Sequence, residues 1–306
     1  MNTTSGLALR CLTLDALAVS TSEVLCQNGV DSVLLKGAGL ARRLDADRTY
    51  ADVDLLVAPA TISAVRDILQ DAGYRMKLPA DLYDAAGDWH EQPWSAPGPL
   101  PLTVDLHRGF AGVGDHDALW HLLRAQAEPL DLAGGTVLIP DDVGTALLAA
   151  LHAASPGGFA KPARDLVRAL AVLPPSTWEA AGRLAADCDA TLAFAVGLRV
   201  LPAGTVVAAR LGLSSTSVPS SAWLAARLAS PTSVALARLT ELSGPRHVLR
   251  SLARGVLPPP VHLLQIDAGA RRGRWGLLWA YARRIGWHVL RLPGALRDLR
   301  TARRRS

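Results

Sequence analysis

Cysteine is scarce in this 306-residue chain, and the three present, Cys11, Cys26 and Cys188, are odd in number and far apart. That excludes a disulfide framework and a clustered zinc site, and reads as reduced core thiols of a cytoplasmic protein. Long uncharged apolar runs are missing too. The nearest, Ala190 to Val207, is broken by Arg199 and Pro202, so no bilayer-spanning helix is expected. The opening residues, MNTTSGLALRCLTLDAL, lack the basic-then-apolar order of a secretory leader. No internal repeat is evident. The dinucleotide fingerprint is incomplete, because after Gly37 and Gly39 its third glycine would have to stand where Arg42 does. Charged residues make up only 19% and hydrophobic ones 50%, which argues against disorder away from the ends. The length suits one large or two modest domains.

What is present is concentrated in two stretches, Val33–Val57 (VLLKGAGLARRLDADRTYADVDLLV) and Leu102–Phe110 (LTVDLHRGF). Val53 to Val57 is apolar except for Asp54 and reads as a largely buried strand. If that strand begins at Asp52, both carboxylates project from one face, since side chains alternate with period two. Like charges so placed repel unless a cation lies between them. A second apolar run, Leu100 to Leu106, puts Thr103, Asp105 and His107 on a common face. Laid beside the first strand, it brings three carboxylates together. Oxygen-only ligation of this kind suits Mg²⁺, which takes few carboxylates and completes its shell with water and phosphate. Upstream, a strand at Ser32–Leu35 runs into Lys36-Gly37-Ala38-Gly39 and a short helix, Leu40–Leu44, a turn that offers backbone amides to an anion.

In this order, LKGAGLA, an Arg, DVDLLV and then VDLH, the chain resembles the DNA polymerase beta-type nucleotidyltransferase superfamily, in particular its uncharacterised bacterial nucleotidyltransferase-like branch. Lys36, Gly37, Arg48, Asp52, Asp54, Asp105 and His107 stand at the matching positions. The resemblance covers residues 30 to 110 and, more loosely, the helical part after Asp141. It implies an α+β fold: a polymerase beta-like core with a mixed sheet, followed by an all-helical domain. It also implies Mg²⁺-dependent transfer of a nucleoside monophosphate from an NTP to an acceptor, with release of pyrophosphate. Asp52, Asp54 and Asp105 would be catalytic and would hold two Mg²⁺ or Mn²⁺ ions, while Lys36, Gly37, Ala38, Gly39, Arg48 and His107 would bind the nucleotide. The wider superfamily has Gly-Gly or Gly-Ser at the turn, whereas here Ala38 follows Gly37 and the acidic pair comes fifteen residues after it. A second reading follows, of an antitoxin-like or regulatory protein that binds nucleotide without turnover.

Along the chain, helical spacing of Leu9, Leu12, Ala16 and Val19 predicts a leading helix over 6–28, stopped by Gly29. Further expected elements are a helix from Pro59 to Ala72, a strand at 74–78, an irregular stretch from Pro79 to Pro99, a helix over 115–126 and a hairpin over 128–139 turning at Gly134-Gly135. In the irregular stretch Trp89, His90 and Trp94 either face a base or plug the sheet edge. Composition changes at Pro140, so three parts are expected: an α/β domain at 1–140, a helical domain at 141–270, and a basic amphipathic helix and tail at 271–306. In the helical part His152 and the Arg164-Asp165 pair loosely resemble the family's cleft-lining segment, with a solvated helix start as the plainer reading. From Arg271 on there are eleven arginines and one acid, a net of +10 against +5 for the chain, which leaves −5 for residues 1–270. Trp275, Leu278, Trp279, Ala282, Ile285 and Val289 share one helical arc. That arc is expected to dock on the protein; the alternative is a membrane-peripheral contact, as in an accessory protein of a membrane or surface-polymer pathway. Nucleic acid is the least favoured partner.

Overall fold

The computed structural model describes residues 3–44, 49–86, 89–155, 160–213, 230–241 and 273–303, together with isolated residues between 213 and 273. Helix α1 (Thr3–Gln27) leads and ends at Gly29, whose φ of +75° and the 3.0 Å bond from Val30 N–H to the Leu25 carbonyl make a left-handed helix stop. Its buried stripe is Leu14, Ala18, Thr21 and Leu25, while Leu9 and Leu12 are exposed. The face differs from the expected one because α1 is apolar around most of its girth. Polar bonds choose the rotation: Tyr50 donates to Asp15, and Thr21 and Tyr74 hydroxyls meet at 2.8 Å.

Five strands follow: β1 (Val33–Leu34), β2 (Val53–Leu56), β3 (Arg75–Met76), β4 (Glu91–Ser95) and β5 (Thr103–His107). They form one mixed sheet in the order β1-β2-β5-β4-β3, in which only β2 and β5 run parallel. Between them lie α2 (Ala38–Leu44), α3 (Ile62–Asp71) and α4 (Ala80–Ala86). Strand alternation divides the apolar side chains between two cores. Leu34, Val53, Leu55, Val57, Val104 and Leu106 face α1 and α3. Val33, Leu35 and Leu56 face the other way, onto Phe110 and the helices that follow. Asp54, Asp105 and His107 have the parity of this second face.

Strand β4 and helix α4 lie where an irregular stretch was expected. Pro93 inside EQPWS argues against a strand, yet Gln92 and Trp94 are fully buried and the register with β5 is unbroken. Trp94 and Trp89 are therefore core residues; Arg108 stacks its guanidinium 4.2 Å from the Trp89 ring.

Helix α5 (His116–Ala125) is capped by the Asp115 side chain, which accepts from Ala118 N–H at 2.8 Å. The hairpin β6 (Glu128–Leu132) and β7 (Gly135–Ile139) pairs Leu132 with Gly135, so its two-residue turn is Ala133-Gly134, one position earlier than expected, both at positive φ. Helices α6 (Asp142–Ala154), α7 (Ala160–Val172), α8 (Pro175–Asp187), α9 (Thr191–Leu198) and α10 (Pro202–Arg210) complete the first compact unit, residues 1–153 with 161–214. The compositional change at Pro140 falls within this unit, because Phe110, Leu119 and Leu123 share one apolar cluster with α6–α9. Cys188 is buried there, but Cys26 is exposed, so not every thiol is a core residue.

The second unit comprises residues 154–160 and 215–306. Its described helices, Pro231–Glu241 and Arg274–Arg303, are joined by Ser233 Oγ donating to Asp298 at 2.6 Å and by a 2.8 Å Thr232–His288 bond. The long helix docks through Ala280, Ala295 and Leu299, not through the expected arc: Trp275 is 83% exposed and Trp279 67%. This helix has two apolar faces, and the one that carries Ala280, Ala295 and Leu299 is the buried one. No helix among the described residues is long and apolar enough to cross a membrane.

Close approach also governs α6 and α9. A Cβ on Gly197 would lie 1.9 Å from the Ala150 carbonyl oxygen, and backbone cannot rotate aside. Gly197→Ala should destabilise the protein by about 1–3 kcal/mol or more, read as a lower urea midpoint at unchanged slope.

Candidate functional site

The site is built where β1 ends. Leu35 N–H still bonds the Asp54 carbonyl at 2.9 Å, and the next residue, Lys36, is turned back over the sheet by Gly37 at φ +65°, a conformation that favours glycine. The Ala41 amide then closes on the Gly37 carbonyl at 3.1 Å and α2 begins. Gly39 is small for another reason: a Cβ there would meet Ile139 Cγ2 at 2.9 Å, so it seats α2 on β7. Ala38 is half-buried between them.

Asp54 is 4% exposed, and a carboxylate so placed needs partners. Its Oδ1 accepts from Lys36 Nζ at 2.7 Å and from His107 Nε2 at 3.0 Å. Burial by itself would raise its pKa; the Lys36 charge and the His107 hydrogen bond outweigh it and hold the group well below the usual carboxylate range. Lys36 answers in kind: burial disfavours its charge, yet the Asp54 carboxylate raises its pKa above the ordinary value.

Asp105 is the register partner of Asp54 on the parallel strand, and its titration moves in the opposite direction. Burial, then the negative charges of Asp54 and Asp52, push it up to about 6. Asp52 lies in the bend just before β2, half-buried, close enough for its charge to act on Asp105 and on Lys36. Glu91, opposite His107 on β4, adds a fourth carboxylate, its Oε2 3.8 Å from His107 Nε2. The sequence reading missed Glu91 because it missed β4. Arg48 lies outside the described residues.

His107 is buried and reaches the site through Asp54. It stacks on Phe110 with ring centres 6.0 Å apart, and Phe110 meets His152 edge-on at 6.3 Å. Lys36, Phe110, Leu148, His152 and Asp165 line one small pocket. Asp165, expected at a solvated helix start, is 3% exposed in α7, and only Arg164 faces solvent.

Two carboxylates in register with a third adjoining make an oxygen donor set whose chemistry fits a hard divalent cation. Among the described residues no three His, Cys, Asp or Glu side chains already form a cation shell. The Lys36 ammonium occupies the Asp54 oxygen instead.

A family model described as "Uncharacterised nucleotidyltransferase" matches residues 4–203. No curated protein matches the chain. Among solved structures, an antigenic nucleotidyltransferase-like protein from Paracoccidioides brasiliensis is similar at 15% identity, over 56% of this chain and 87% of that one, with a TM-score of 0.37, too low to carry argument.

Mutual repulsion alone would predict that neutralising any of the three aspartates relieves the fold; the Lys36 and His107 partners of Asp54 exempt that residue. Asp54→Ala removes the acceptor of a buried ammonium and a buried imidazole and should cost about 3–5 kcal/mol. For Asp105, a folded pKa of about 6 lies above the unfolded value of about 3.9. The native state therefore holds the extra proton, and its stability falls as pH rises through that window. Asp105→Asn should abolish this fall, so that its melting temperature overtakes that of the wild type between about pH 4 and 6 and stays higher at pH 7. Parallel melts across pH check both.

Proposed function

Since the chain belongs to the uncharacterised nucleotidyltransferase family over residues 4–203, we propose that it moves a nucleoside monophosphate from an NTP to an acceptor hydroxyl. The observation that carries this reading is the in-register pair Asp54 and Asp105 on adjacent parallel strands, beside the Gly37 turn. The acceptor oxygen attacks the α-phosphorus, the bond to the β-phosphate oxygen breaks, and pyrophosphate leaves. Asp52, Asp54 and Asp105 would hold the two Mg²⁺ or Mn²⁺ ions. When bound, such ions neutralise phosphate charge and lower the pKa of a bound hydroxyl.

The protein's own groups have distinct parts to play. Asp105, ionised at neutral pH yet more basic than an ordinary carboxylate, accepts the acceptor's proton on a carboxylate oxygen. His107 positions Asp54. Lys36, at the start of the turn, supplies positive charge to the triphosphate, joined by Arg48 and the amides of Gly37, Ala38 and Gly39. Such catalysis is mainly alignment and charge compensation.

One observation favours the second reading, nucleotide binding without turnover: the Lys36 ammonium, not a metal, sits on Asp54. Incubation with each NTP, Mg²⁺ and an acceptor panel separates the two. Pyrophosphate release that falls at least about a hundredfold in Asp105→Asn supports transfer, whereas tight NTP binding with no pyrophosphate against any acceptor supports the binder. Calorimetry should find NTP affinity only with divalent metal, and equal affinity in EDTA would sink the metal-assisted model. Arg48→Ala should weaken NTP binding by about 1–3 kcal/mol, the worth of a charge-assisted hydrogen bond.

A further inference from the structure

The helix Arg274–Arg303 uses one face to hold its own unit together and leaves the other exposed. At 100° per residue, Trp275, Leu278, Trp279, Ile285, Val289 and Leu296 fall within an arc of about 120°, and all six are exposed. The docking residues Ala280 and Ala295 lie roughly opposite, with Leu299 on the flank between. Over 30 residues the helix is about 45 Å long. A stripe of that size, with two tryptophans largely in water, is unusual on a protein surface that has no partner.

We infer that this arc binds an anionic lipid surface, with the helix lying in the plane of the interface.

Charge selects the occupant. Arg297 and Arg300 share the arc toward the helix end, and Arg274 and Arg283 border it; all four are exposed. Arg283 is paired with Asp267. The helix's single acid, Asp298, is turned to the docking side, where Ser233 holds it. Among the described residues the face is thus tryptophan and aliphatic side chains with cations, and the one anion beside it is Asp267, held by the bordering Arg283. Indole rings favour the boundary between headgroup and acyl chain, while arginines extend their stems and reach the headgroup phosphates. A second copy of the chain fits less well, since a two-fold contact would set this arginine-rich face against itself, and the helix's own acid is turned away from it. Nucleic acid would meet the arginines but leave the apolar stripe in water. A shallow interfacial helix needs no membrane-spanning length, so the absence of such a helix among the described residues is consistent with it.

Full-length protein is sedimented with phosphatidylcholine vesicles, with and without about 30 mol% phosphatidylglycerol. Partitioning should be at least about tenfold stronger to the anionic vesicles and should weaken as salt is raised. The pair Trp275→Ser and Trp279→Ser should lose at least about tenfold in partitioning with thermal midpoint unchanged. Arg297→Gln with Arg300→Gln should instead remove most of the preference for anionic lipid. The proposal is overturned if the protein stays in the supernatant, if both vesicle types bind alike, or if the tryptophan pair binds like wild type. A dimer in light scattering that the tryptophan pair dissolves would assign the arc to a second copy. An RNA oligomer that binds more tightly than the vesicles would assign it to nucleic acid.

Discussion

Burying one carboxylate constrains how three separated segments must meet. Asp54 sits in the middle of the apolar strand β2, and an unpaired charge at that depth would cost more than a typical domain's margin of stability can absorb. Its partners come from opposite sides: Lys36 from the end of β1, His107 from the end of β5. Meeting both fixes where β1 must turn, which strand lies beside β2 and in which register. Gly37, at positive φ, is what lets the chain leave β1 just after Lys36 rather than carry that side chain onward.

The same geometry explains why two aspartates on one face behave so differently. Asp54 has taken the local cation. Asp105, one strand over, is pushed up to about 6 first by burial and then by the negative field of Asp54 and Asp52, which the opposing effect of His107 does not cancel. Pairs of carboxylates whose surroundings drive their titrations apart are a recurring basis for assigning acid–base roles. In the proposed reaction Asp54 would stay the anion and Asp105 would be the group that takes up the proton.

The Asp54–Asp105 face could be read from the sequence because it rests on period-two alternation within short apolar runs and on a turn whose glycine is chemically required. The mixed sheet was expected only through the family resemblance, while the Gly29 stop follows from an equally local rule. Three features did not. Strand β4 was hidden by Pro93, since a local rule penalises proline without knowing that Gln92 and Trp94 would be buried. The buried side of α1 was set by Asp15–Tyr50 and Thr21–Tyr74 bonds that join residues 35 and 53 apart. The long basic helix has two apolar faces, and a wheel shows their size but not which one finds a neighbour. In each case the missing information was tertiary.

Electrostatics sets the remaining constraint on the proposed reaction. Residues 1–270 carry a net charge of −5, and the site gathers Asp52, Asp54, Asp105 and Glu91 around one lysine already engaged with Asp54. A triphosphate approaching such a face as a bare anion is repelled at long range and finds no free Lys36 charge at close range. In the proposed reaction, divalent ions arriving with the nucleotide would reverse that balance. Cations that bind the carboxylates would also compete with Lys36 for Asp54, and a lysine so displaced would stand where it can meet phosphate. On this reading the Lys36–Asp54 pair keeps the buried charge compensated until nucleotide and metal arrive together, so that ion pair and metal site are alternative states of the same few atoms.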